Sequence, residues 1–150
     1  MHFVVPACVL LVIATTVLHY EMLGMLNARL PRLPVPHRLK LLVVIFSAFV
    51  AHALEIAFYG LVLFGMVHWL DVGKLVGAAG ISLASCLYFS AETYTSLGFG
   101  DVTPVGPIRL LAGVEALNGL LLIGWSASFT YISMERFWGD RQDALDSPRH

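Results

Sequence analysis

The sequence predicts an all-α integral membrane protein, with three transmembrane helices and one short re-entrant helix that enters the bilayer and turns back. Three observations carry this reading. The 150-residue chain is 58% hydrophobic and 13% charged, against about 45–50% and roughly 25% for soluble globular domains. Three apolar stretches are each long enough to cross a hydrocarbon core of ~30 Å, which takes about 20 residues. A fourth, roughly half as long, runs directly into a glycine-rich segment. This composition excludes an ordinary soluble enzyme, a disordered chain and a disulfide scaffold. A net charge of −1, with no basic run longer than two residues, leaves no electrostatic footprint for nucleic acid.

The first predicted helix covers 1–20, since Phe3 to Leu18 holds no charged residue. It reads as an uncleaved span, because no positive segment precedes it and no small-x-small cleavage site follows. His19 and Glu21 are expected to end it at the membrane interface. Residues 21–40 read as a linker carrying Arg29, Arg32, Arg38 and Lys40. Pro31, Pro34 and Pro36 make it stiff and extended. The second span is predicted over 41–70 and the third over 107–134, with 139–150 a short tail. Only helices satisfy their own backbone groups in lipid. Arginine and lysine concentrate in the 21–40 linker and after Met134, which places both in the cytoplasm and the N-terminus outside. Localisation in the cell membrane follows. Cys8 and Cys86 lie in apolar stretches and read as packing residues.

The fourth stretch, 82–94, is helix-compatible, with Ser82 a candidate N-cap. Its length of ~18 Å is about half a membrane. Such a segment is tolerated at membrane depth only where protein surrounds it or water lines it. It leads into Thr95-Ser96-Leu97-Gly98-Phe99-Gly100-Asp101. A dehydrated cation needs a cage of oxygens in place of its water. Successive backbone carbonyls supply one if the backbone alternates between ordinary and left-handed conformations, which glycine allows. Gly98 and Gly100 stand at alternate positions.

This segment resembles the pore loop of potassium channels, whose filter reads T-x-G-[YF]-G-[DN]. Ser90, Glu92, Thr93 and Thr95 before it match the small bacterial two-helix members of that family. Asp101, Pro104, Arg109 and Gly119 extend the match to roughly 82–134. The resemblance implies a pore domain over 41–138, with outer helix 41–70, pore helix 82–94, filter 95–101 and inner helix 107–134. It implies K+ held by the carbonyls of Ser96, Leu97, Gly98 and Phe99, the Ser96 hydroxyl completing the innermost site. It also implies a homotetramer, since a closed filter takes four loops. Glu92, Asp101, Tyr88 and Phe89 would support the filter from behind, the two carboxyls sharing a proton. Gly119 would be the inner-helix hinge, unless it only allows close packing. Leu120, Ile123, Ala127 and Tyr131 would line the cavity. Ser96, Leu97 and Phe99 replace the commoner threonine, valine and tyrosine, which suggests a softer filter able to inactivate.

His52, Glu55, Glu115 and Asn118 are polar residues at membrane depth, where such groups are costly and usually paired or functional. They read as a hydrogen-bonded cluster between outer and inner helix, or as a pH sensor centred on His52. A metal centre of His19, Glu21, His52 and Glu55 fits no ligand spacing. The expected function is a potassium-selective channel and not an enzyme, with K+ as permeant ion and no cofactor. The expected partners are membrane lipid and three further copies, with no soluble ligand domain. The alternatives are a weakly selective cation channel and a non-conducting membrane subunit.

Overall fold

The computed structural model describes residues 2–77 and 82–146. Helix α1 runs Val4–Arg29 and continues as a single 3-10 turn, Leu30–Arg32. Helix α2 runs His37–His68, β1 Lys74–Val76, α3 Leu83–Tyr94, β2 Thr103–Val105 and α4 Ile108–Asp146. Three of these helices are long and apolar enough to cross a membrane. The expected all-α membrane architecture is therefore present. Large side chains such as Leu10, Phe46, Phe49 and Leu121 stay exposed along the spans. That suits lipid and would be an aggregation hazard in water.

Several boundaries differ from the sequence reading. The first helix does not stop at residue 20. Residues 21–29 include Glu21, Leu23, Met25, Leu26 and Ala28, all good helix formers, and Gly24 alone costs only about 1 kcal/mol. The linker shrinks from 21–40 to 33–36, where Leu33 and Pro36 are extended at ψ 124° and 147°. The last helix outruns 134 because hydropathy marks where a span ends, not where a helix does. The expected tail over 139–150 is thus helical to Asp146, and 147–150 lie outside the described residues.

α1 packs on both α2 and α4 of its own chain. The core joins Val4, Cys8 and Leu11 of α1 to Tyr59 and Leu63 of α2, Phe89 and Tyr94 of α3, and Leu111 of α4. Both cysteines are buried and free, as packing residues should be. α3 sits between α2 and α4. Its Ser82 caps the helix, the hydroxyl accepting from the Ser85 N–H at 3.1 Å. An unexpected antiparallel ribbon pairs β1 with β2, Lys74 opposite Val105 and Val76 opposite Thr103. It joins the strand before the pore helix to the strand after the glycine-rich segment.

Candidate ion pathway and the buried polar cluster

The C-terminal end of α3 is seated against α4 at Gly119. A Cβ added there would lie 2.1 Å from the Tyr94 carbonyl oxygen and 3.0 Å from its ring. No side chain fits that gap. Of the two roles considered for Gly119, close packing is the one the geometry supports. Gly124, by contrast, has nothing within 4 Å of its place for a Cβ.

From this anchor the chain turns sharply. The Thr95 hydroxyl donates to Ala91 O at 2.7 Å, and the Ser96 N–H to Thr93 O at 3.0 Å. The N–H groups of Leu97 and Gly98 both donate back to Glu92 O, at 2.8 and 3.3 Å. The Phe99 N–H is directed at the Glu92 side chain. In a trans peptide the carbonyl points opposite to the N–H of the next residue. The carbonyls of Ser96, Leu97 and Gly98 therefore turn away from α3, all to one side. The backbone that achieves this is left-handed at every second residue: φ is +57° at Ser96, +55° at Gly98 and +80° at Gly100. The sequence exposed the two glycines. It did not reveal Ser96, because a non-glycine residue rarely adopts positive φ.

Residues 95–101 are all exposed in the single chain. Leu97 and Phe99 are 59% and 67% exposed. Beside them an open groove of about 340 Å³ lies between the loop and α4, lined by Phe89, Glu92, Thr93, Ser96, Ala112 and Ala116 among others. Behind the loop, the Tyr88 hydroxyl donates to Asp101 Oδ2 at 3.0 Å, and Asp101 Oδ1 accepts the Val102 N–H at 3.1 Å. Phe89 is a buried core residue. Glu92 is buried, and its Oε2 has no hydrogen-bond partner. Burial and then the charge of Asp101 push its carboxyl above the usual carboxylate range. Leu120, Ala127 and Tyr131 are exposed on α4, while Ile123 is partly buried against the core.

The membrane-depth polar residues do not form one cluster between two helices. Each instead recruits partners from α1 or α3. Glu55, fully buried, faces His19 Nδ1 at 2.9 Å through Oε1 and His52 Nδ1 at 3.1 Å through Oε2. The Tyr94 hydroxyl also donates to Oε2 and lies 2.9 Å from His52 Nδ1. His19 Nε2 meets Ser126 Oγ at 3.1 Å. His19 is thus not an interfacial residue: it is wholly buried, while Glu21 is exposed. Its helix runs on past it, so its place is the interior of the span. Glu115 is bound by the Ser90 hydroxyl, and Asn118 Nδ2 donates to Thr15 Oγ1 at 2.8 Å and to Tyr59 OH at 3.2 Å. Sequence reasoning missed His19 as a core residue and Tyr94, Thr15, Tyr59, Ser90 and Ser126 as partners. These are polar groups on otherwise apolar helices, and their connections span up to 107 residues.

Two long helices flanking a half-length helix and a loop of aligned carbonyls define a pore-loop membrane channel. A family model described as "Ion channel" matches residues 39–136, and the chain belongs to this family, the two-transmembrane type that includes potassium channels. It is a channel and not an enzyme. No curated protein and no solved structure gives a match. The matched stretch begins after α1, so this helix lies outside it, while its polar partners Glu55, Asn118 and Ser126 lie inside.

Proposed function

We propose that the protein is a potassium-selective channel in which four copies surround one axis and residues 95–100 form the filter. The observation that carries this reading is the alternation of left-handed backbone at Ser96, Gly98 and Gly100. With it, consecutive carbonyls replace the water shell of a dehydrated ion, and repulsion between ions in adjacent sites drives throughput. A single chain offers only one wall of such a cage. The exposed Leu97 and Phe99, next to an unfilled groove on the same chain, are the surfaces a neighbouring copy would cover. Excess arginine and lysine after α1 and along the end of α4 orients those ends to the cytoplasm.

The test is K+ flux into liposomes holding the purified full chain, with reversal potentials in mixed sodium and potassium. Potassium-selective current that vanishes in Gly98→Ala supports the reading. Equal sodium and potassium permeability makes the protein a weakly selective cation channel. A monomer or dimer without flux overturns the tetrameric pore.

A further inference from the structure

The polar cluster around Glu55 has the composition of a metal site. His19, His52 and Glu55 each offer one ligand atom, and these atoms all lie within 4.8 Å of one another. They come from two helices, and Tyr94 of α3 adds a phenol oxygen within hydrogen-bond distance of His52 Nδ1. We infer that His19 Nδ1, His52 Nδ1 and the Glu55 carboxylate bind a divalent transition metal of the zinc class inside the subunit.

Two imidazoles and one carboxylate are a donor set that zinc takes with three protein ligands and one further position. That position falls to the Tyr94 oxygen or to a water. Tetrahedral bonds of ~2.0–2.1 Å separate neighbouring ligand atoms by ~3.3 Å. The Nδ1–carboxylate separations here are 2.9 and 3.1 Å. They run to different oxygens of the carboxylate, so the two rings share one ion across a bidentate Glu55, or after a shift within the 4.8 Å that bounds the three ligand atoms. Binding through Nδ1 requires each imidazole to carry its proton on Nε2. For His19 a partner already waits: Nε2–H can donate to Ser126 Oγ, 3.1 Å away. Such an outer partner fixes ring orientation and tunes affinity. The carboxylate offsets one of the two positive charges. His52, the one partly exposed member, lies at the wall of an apolar groove of about 210 Å³ that it shares with Phe49, Thr95 and Ile123.

Tyr94 is the last residue of α3 and adjoins Thr95, where the loop begins. A metal drawing on Glu55 changes what holds Tyr94. Occupancy would therefore be felt at the foot of the filter; this consequence, unlike the site itself, rests on the channel reading above.

The experiment titrates chelator-stripped full-length protein with zinc chloride by calorimetry, and with cobalt chloride by visible absorption. One metal per chain and the intense spectrum of tetrahedral cobalt are expected. His19→Gln and His52→Gln should abolish both, His68→Gln should leave both unchanged, and Ser126→Ala should weaken binding about 10–100-fold. If His19→Gln misfolds, His52→Gln at the edge of the cluster decides alone. No binding by the wild-type chain, or binding that survives His52→Gln, overturns the site. Flux with and without zinc is measured afterwards: binding without any effect on flux removes the coupling to the filter but leaves the site standing. Absent flux under every condition counts against the channel reading only.

Discussion

The Tyr94 carbonyl oxygen rests against the backbone of Gly119, so close that a methyl group there would sit 2.1 Å from it. This contact sets the depth of the pore helix against α4 and hence the place where the carbonyl ladder starts.

Replacing Gly119 with alanine should therefore displace α3 from α4. Overpacking of this kind costs about 1–3 kcal/mol. Thermal unfolding of the detergent-solubilised protein would read it as a lowered midpoint, with loss of flux. Gly124→Ala should not be destabilising, because it meets nothing and alanine favours helix. If Gly119→Ala keeps the wild-type midpoint and alters only gating, hinge bending is the better account.

Tyr88 supplies the hydroxyl that Phe99 lacks. Its bond to Asp101 ties α3 to the loop's outer end. Tyr88→Phe should speed the decay of current during sustained opening, and Phe99→Tyr should slow it. Identical decay in all three proteins would show that neither ring governs loop rigidity.

Glu92 lies outside the three spanning helices, and its carboxyl is held above the usual carboxylate range by burial and by Asp101. For an acid with a raised folded-state value, the stabilisation is complete below the ordinary carboxylate range. It is lost as pH rises through the raised value. The thermal midpoint should accordingly fall as pH climbs from acid toward neutral. Glu92→Gln, permanently neutral, should flatten that part of the profile. Parallel profiles for the two proteins would mean that Glu92 does not titrate between them.

Asn118 binds α4 to α1 through Thr15 and to α2 through Tyr59. Interhelical hydrogen bonds in membranes average about 0.6 kcal/mol each, up to about 1.7. Asn118→Ala should cost about 1–2 kcal/mol on that scale, and Tyr59→Phe about half as much. A midpoint for Asn118→Ala equal to wild type would show that apolar packing alone secures α1.

Much of this was legible in the chain. The three spans announced themselves by length and hydropathy, Ser82 by its capping chemistry, and residues 95–101 by the spacing of Gly98 and Gly100. His19 is not legible as a core residue because it begins a polar triplet, His19-Tyr20-Glu21, which resembles a membrane boundary. Only the fold shows Glu55, 36 residues away, waiting for it. Tyr94 was hidden for a similar reason: an aromatic at the end of a short helix has many uses, and its partners lie on another helix. The β1–β2 ribbon left no trace, since three-residue strands are too short to show any alternation.

That ribbon has a mechanical meaning. By zipping Lys74–Val76 to Thr103–Val105, it turns the whole re-entrant excursion into a lasso drawn shut at its neck. Closing a loop once spares later rearrangements the entropy of finding its ends again. The noose cannot slide outward as a unit until the neck unzips.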